Sequence, residues 1–411
     1  MRTLQGHTNI NSQTLGRGRR LWFAILLGSL SAFGPLSLDM YLPSLPILSE
    51  DLKASTSLTQ LSLTACLLGL ALGQLLAGPI SDVRGRRMPL LAGLALYSAS
   101  SLLCMAAPNI GIFVVLRFLQ GVAGAAGIVI SRAIVRDLYE GKELTKFYTL
   151  LMLINGSAPI LAPILGASLL QVTSWRGVFL VLAGIGALML LGVIVGLHET
   201  LPAVRRSKGG LRNMLSTFRI LLRDRLFVGY ALSQGLVMGA MFAYISGSPF
   251  VLQGLYGVSP QLFSFIFGMN GLGIIFAGQL TGRLVNRFSE GTLFLTGIGI
   301  AALGGFGLLA VLLAGGGLAL ILLCLFLVVA SVGIVTTTGF SLAMQNYGQA
   351  AGSASALLGV LTYLFGGVVA PLVGLGGEGT ALPMGLVIAG AELGAVLCYM
   401  ALVGQRGEQK Q

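Results

Sequence analysis

Ionisable residues are scarce in this 411-residue chain: Asp, Glu, Lys and Arg together make up only 9%. Soluble domains carry about 25%. With so little charge to face water, an ordinary soluble fold is excluded and a polytopic membrane protein is expected. Histidine is rarer still. His7 lies in the amino-terminal tail and His198 at the end of an apolar run. The four cysteines, Cys66, Cys104, Cys324 and Cys398, all fall inside apolar runs at no metal-ligand spacing, and read as small core residues. There is no nucleotide-binding loop, no metal-spaced cluster and no nucleophile–base–acid set, so neither enzyme chemistry nor a cofactor is expected. A secretory signal is also missing. Arg17, Arg19 and Arg20 precede an apolar run too long for a signal core, and no small-residue cleavage site follows.

What is abundant is apolar and small. Hydrophobic residues are 55% of the chain, and 60 residues are glycine, about twice the usual share. Glycine scattered through apolar segments implies close helix packing or hinges. Twelve apolar runs follow one another at 21–43, 56–79, 88–107, 110–136, 145–171, 175–197, 224–252, 259–285, 290–314, 317–344, 351–375 and 381–404. Each is near or above the roughly 20 residues that span a bilayer. The expectation is an all-α membrane protein of twelve transmembrane helices in two six-helix pseudo-repeats. A tail (1–20), a first half (21–197), a linker (198–223), a second half (224–404) and a short tail (405–411) divide the chain. The net charge of +12 points to topology rather than to nucleic acid. With the amino terminus inside, cytoplasmic segments hold 21 of the 25 basic residues, against two outside (Lys53 and Arg176) and two within a helix (Arg117 and Arg132). Both termini are therefore expected in the cytoplasm.

The loop after the second run, Gly78-Pro-Ile-Ser-Asp82-Val-Arg84-Gly85-Arg86-Arg87, packs charge between two membrane-length segments and must face water. Gly78 is expected to admit a close helix approach, and Pro79 to bend the helix exit. Gly85 is expected to make the turn, and Asp82 to cap backbone N–H groups or to bind a basic side chain. Gly282-x3-Asn286-Arg287 echoes this loop 204 residues later. The loop resembles the signature between the second and third helices of the major facilitator superfamily of transporters, with Val83 where that pattern usually has a basic residue. The resemblance implies two six-helix halves with a substrate site between them near mid-membrane.

A carboxylate inside an apolar helix is a functional candidate by default. Asp39 lies about 6 Å inside the outer end of the first run and Arg117 about 10 Å inside that of the fourth, at 1.5 Å per residue. Similar depth suggests a mutual pair, direct or through water, with Asp39 exchanging protons where a guanidinium cannot; a permanent structural ion pair is the alternative. Arg132, Arg136 and Asp137 end the fourth run. Asp137 is placed to join Arg86 or Arg87 in a conformational latch, with plain surface solvation as the equal alternative. In the second half Gln234, Met238, Met241 and Phe242 share one helix face, suited to varied apolar ligands or to packing. Asp39, Tyr41, Asn155, Tyr244 and Asn270 complete the candidate substrate-binding set. Glu392, in the last run, is read as structural rather than proton-coupling.

The fifth run, Asn155-Gly156-Ser-Ala-Pro159-Ile-Leu-Ala-Pro163-Ile-Leu-Gly166, has two mid-helix prolines that free carbonyls and favour a kink. It resembles the fifth-helix antiporter motif of the superfamily, with Ala167 replacing the second glycine of the usual closing pair. Leu38-Asp39-Met40-Tyr41-Leu42-Pro43, Arg132-Ala-Ile-Val-Arg136-Asp137, Tyr244-Ile-Ser-Gly-Ser-Pro-Phe250 and Gly352-Ser-Ala-Ser-Ala-Leu357 resemble the bicyclomycin and chloramphenicol resistance (Bcr/CflA) drug:proton antiporters. That likeness covers about 21–404 and implies proton-coupled export of small amphipathic drugs by a monomer. The partners it implies are the drug, protons and the bilayer; it implies no metal and no nucleic acid. An uptake carrier or uniporter for a nutrient is the first alternative, and a channel or membrane scaffold the second.

Overall fold

The computed structural model describes residues 17–139, 141–206, 210–347, 351–377 and 379–404. Most of the tail 1–20, all of 405–411 and Lys208 of the linker lie outside these. Fifteen α-helices follow in order among them. The first span is broken into α1 (Arg17–Ser31), α2 (Phe33–Asp39) and α3 (Leu45–Asp51). Single helices make the next five spans: α4 (Thr56–Arg84), α5 (Arg87–Met105), α6 (Ile110–Leu138), α7 (Gly141–Leu169) and α8 (Trp175–Gly196). A short helix, α9 (Gly210–Leu221), precedes the second set of six: α10 (Arg225–Ser248), α11 (Pro260–Leu284), α12 (Glu290–Leu313), α13 (Leu318–Met344), α14 (Ala351–Val373) and α15 (Leu382–Leu402). The twelve apolar runs are thus twelve spans, and their boundaries differ from the sequence reading by a few residues. The first span carries on past its run to Asp51, and α4 carries on through Pro79 and Asp82 to Arg84. The turn falls at Gly85, whose φ of +92° is a conformation that favours glycine.

Helix starts are fixed locally. Ser55, Asn109, Asp224, Ser259 and Ser289 each accept a first-turn N–H, at the heads of α4, α6, α10, α11 and α12. The break in the first span is also local. Pro35 has no N–H to give to the Ser31 carbonyl, and the chain bends by 46° at Ala32. Further on, the helix stops at Asp39 and a 3₁₀ turn, Leu42–Ser44, carries Pro43.

The pseudo-repeat shows in how the halves pack internally. A Cβ at Gly121 of α6 would sit 3.0 Å from the Leu70 nitrogen of α4, and one at Gly333 of α13 would sit 2.9 Å from the Gly278 nitrogen of α11. Backbone thus meets backbone at corresponding places in the two halves, where only the absence of a side chain permits it. Gly78 is not such a place, contrary to expectation. A Cβ there would meet Val129 at 3.7 Å, an ordinary contact.

The bundle has a basic end, where the Asp82 loop and the linker lie, and a far end. At the far end the two sets of six meet through side chains donating to carbonyls. Gln60 Nε2 donates to Ser246 O at 3.0 Å, Ser57 Oγ to Pro371 O at 3.4 Å and Ser264 Oγ to Pro163 O at 3.0 Å. At the basic end, Met214, Phe218 and Leu221 of α9 pack in one cluster with Leu75 of α4 and with Ala343, Ala354, Leu357 and Leu358 of α13 and α14.

Candidate functional site

A cavity of about 150 Å³ lies between the two sets of spans. The first set lines it with Pro35, Leu38, Asp39 and Pro159. The second set adds Met238, Met241, Phe242, Tyr244, Phe267, Asn270, Thr362 and Tyr363, among others. The walls are apolar and aromatic except at a few points. Asn270 Nδ2 donates to the Tyr244 hydroxyl at 2.8 Å, and the Tyr244 ring stacks on Phe267 with centroids 5.6 Å apart. Asp39 brings an ionisable group. It is 5% exposed, and among the described residues no donor or cation is bonded to its carboxylate.

Arg117 does not pair directly with Asp39. Its guanidinium donates from Nη2 to the Ser37 carbonyl at 2.8 Å and from Nη1 to Gln120 Oε1, while Gln120 Nε2 donates to Ser101 Oγ at 2.7 Å. The guanidinium carbon lies 4.4 Å from the centre of the Tyr41 ring and 5.6 Å from that of Phe179. Equal depth brought Arg117 beside the right helix but on its other flank. The helix ends at Asp39, which leaves the Ser37 carbonyl without its usual backbone donor, and the guanidinium supplies one. Arg117 is therefore a fully buried C-terminal cap for α2, held by aromatic faces. Tyr41 belongs to this cluster and not to the cavity wall. It is fully buried, with its hydroxyl 3.0 Å from Ser62 Oγ and its ring against Phe113 and Phe179.

Of the other expected ligand contacts, Met238, Met241, Phe242, Tyr244 and Asn270 line the cavity. Gln234 does not. It lies one turn nearer the basic end and presses its Oε1 toward Gly339 of α13, with that oxygen unbonded. Asn155 is in α7, but its side chain lies outside the described residues. Pro159 lines the cavity, and α7 continues as one helix through both prolines. Gly166 packs directly on the Met40 carbonyl, where a side chain would collide, whereas a Cβ at Gly156 would meet only Ile275 at 3.7 Å. Glu392 is fully buried in α15 beside Gly305 of α12, away from the cavity lining.

The charged loop forms a clamp at the basic end. Arg86, 3% exposed, is its hub. It donates Nη1 to Asp82 at 2.5 Å and to Ser81 Oγ at 2.8 Å, and Nε to Asp137 at 2.8 Å. This is the expected contact between the loop and Asp137, with Arg86 the partner. Arg87 instead donates to the Ile194 carbonyl at 2.9 Å. Arg84 and Arg136 are exposed and take no part, and Arg132 is exposed one turn earlier on α6. Sequence reasoning missed Glu199, just beyond α8. Its carboxylate accepts the N–H groups of Arg86 (2.8 Å), Arg87 (3.1 Å) and Leu201 (2.9 Å). Partial burial pushes this carboxyl up, but the three N–H groups and the Arg206 charge outweigh that and hold it below the usual range. Arg86, with burial opposing and two carboxylates favouring its charge, is held more firmly cationic than a free guanidinium. All the partners of the clamp come from the first half or its exit. It ties the α4–α5 turn to the ends of α6 and α8.

Two stacked sets of six spans, a central cavity and a charged loop after the second span define a membrane carrier. The chain belongs to the Major Facilitator Superfamily, whose model matches residues 21–371. It is 46% identical over 389 residues to an uncharacterized transporter of that type, YdgK of Bacillus subtilis, covering 94% of this chain and 96% of that one. A bicyclomycin resistance protein homolog of Haemophilus influenzae is 30% identical over 93% of this chain and 96% of its own. A chloramphenicol resistance protein of Pseudomonas aeruginosa is 31% identical over 71% of this chain and 67% of its own. Among solved structures, the nucleoside transporter NupG superposes with a TM-score of 0.75 at 14% identity, over 94% of this chain and all of that one. That last likeness speaks to the fold alone. The protein is a multi-pass membrane transporter of small molecules.

Proposed function

We propose that this protein exports small amphipathic drugs in exchange for protons, by alternating access and as a monomer. On this reading it sits in the cytoplasmic membrane with both termini in the cytoplasm. Residues 21–197 and 224–404 are its two moving halves, 198–223 its linker, and 1–20 and 405–411 its tails. The observation that carries the reading is the unpaired Asp39 carboxylate in an otherwise apolar and aromatic cavity wall. An isolated buried carboxylate costs several kcal/mol. Something must neutralise it, and in this cavity the choices are a proton or the substrate. Occupancy by one then displaces the other, which is the elementary requirement for exchange. The Met238, Met241, Phe242 and Phe267 surfaces suit ligands of varied apolar shape. The resistance proteins among the relatives favour drugs as cargo, in the amphenicol, bicyclomycin or wider multidrug range. Pro159, at the cavity wall, and Pro163 place a proline-containing stretch where a change in helix shape reaches the ligand.

The test is drug efflux from proteoliposomes with an imposed proton gradient. Asp39→Asn should abolish gradient-driven export yet still bind drug, because the amide keeps the shape and loses the titrating charge. Full proton-driven export by Asp39→Asn would remove Asp39 from the coupling.

A further inference from the structure

We propose that α9 and its exit form a docking surface for anionic phospholipid headgroups at the basic end. Three observations meet there. The inner face of α9 is already used: Phe218 and Leu221 are buried between α4 and α14. Its outer face, among the described side chains, presents exposed aliphatic and basic groups together. Leu215, Ile220 and Leu222 are 54%, 63% and 54% exposed, with Arg219 and Arg223 exposed among them. The neighbouring carboxylate, Asp224, is turned away from these arginines. It accepts the Leu226 N–H at 2.9 Å and the Tyr347 hydroxyl at 2.6 Å. Neither Arg219 nor Arg223 has a bonded partner among the described residues.

Position selects the occupant. α9 ends four residues before α10, a membrane span, begins at Arg225, so the exit of α9 lies at the bilayer surface. Exposed leucine and isoleucine beside free arginine is the pattern of a helix lying in the headgroup layer, apolar side chains down and guanidinium groups on phosphate. An acidic protein would satisfy the arginines but would not explain bare aliphatic side chains at membrane level. The inner face of α9 touches both halves, so lipid held on its outer face bears on the contact between α4 and α14.

The experiment uses the purified, delipidated full-length chain in a neutral detergent. Thermal unfolding and native mass spectrometry are followed during titration with phosphatidylglycerol, phosphatidylcholine or inorganic phosphate. Phosphatidylglycerol should raise the midpoint and be retained, while phosphatidylcholine and phosphate should do neither. Each arginine removed should weaken apparent phosphatidylglycerol affinity about fivefold, so Arg219→Gln with Arg223→Gln should lose roughly 25-fold. Leu215→Ser with Leu222→Ser should weaken it with the charge intact. Arg283→Gln with Arg287→Gln, a basic pair at the echo loop, should leave it at the parent value. Equal responses to phosphatidylcholine, a full response to phosphate alone, or parent affinity in the Arg219/Arg223 pair would each overturn the proposal. So would dimers in place of retained lipid. These readouts involve no transport, so they stand or fall apart from the export reading.

Discussion

Arg86 binds two carboxylates in different surroundings, and the difference predicts unequal effects from the same chemical change. The Asp82 side chain is 43% exposed and sits four residues before Arg86 on the same stretch; Asp137 is 13% exposed and comes from another helix. Removing the charge of a half-exposed partner costs about 0.5 kcal/mol, because water and salt already screen it. Removing that of a mostly buried, hydrogen-bonded partner costs about 2–3 kcal/mol, because Arg86 stays buried with less to neutralise it. Asp137 also accepts from Thr200 Oγ1 at 3.3 Å, which adds to its side of the account. Asp137→Asn should therefore destabilise the protein about four to six times as much as Asp82→Asn. The assay is reversible unfolding in mixed micelles, titrated with anionic detergent. The double variant should cost more than the sum of the singles, since it leaves the buried guanidinium with no carboxylate at all. Equal losses from Asp82→Asn and Asp137→Asn, or strict additivity, would refute Arg86 as a shared hub.

Two further predictions rest on the same geometry. The Glu199 carboxyl is held below its usual range, so its contribution is present above the unfolded value near 4.3 and fades as pH falls through the lower folded one. Glu199→Gln should cost about 1 kcal/mol at neutral pH, after discounting for its partial exposure. The gap to parent should close below about pH 4 in the same unfolding assay; a pH-independent gap would mean shape rather than charge is at work. Arg117→Lys loses the planar fork that reaches both Ser37 and Gln120. It should lower stability by about 2–3 kcal/mol and make the amides around Met40 exchange faster with deuterium, whereas unchanged exchange there would contradict the capping role.

The spans were legible because hydrocarbon imposes one requirement, a long apolar run, that sequence displays directly. Depth along a helix was legible too, and it placed Arg117 at the level of the first span's broken end. Direction around the helix was not. Tyr41 and Gln234 carry the right chemistry on the wrong side, and a direct Asp39–Arg117 contact is absent for the same reason. Glu199 escaped notice because a carboxylate one step past a span looks like ordinary solvated linker. The basic loop with no nearby acid to match all its donors was the available hint. Pro35 was likewise an overlooked signal for the bend in the first span, hidden by attention to Pro43.

The far-end contacts between the halves have a mechanical consequence. Gln60, Ser57 and Ser264 all reach across to main-chain carbonyls, and none of these bridges is ionic. Water can take over each one as it parts, so each forfeits only about 0.5–1.5 kcal/mol net. Glycines seat one backbone against another within each half, and also across this seam, where a Cβ at Gly374 would lie 2.7 Å from the Ser57 Cα; no solvent can replace such a contact. Parting the far end thus gives up three hydrogen bonds that water can replace and one backbone seat, at Gly374, that it cannot.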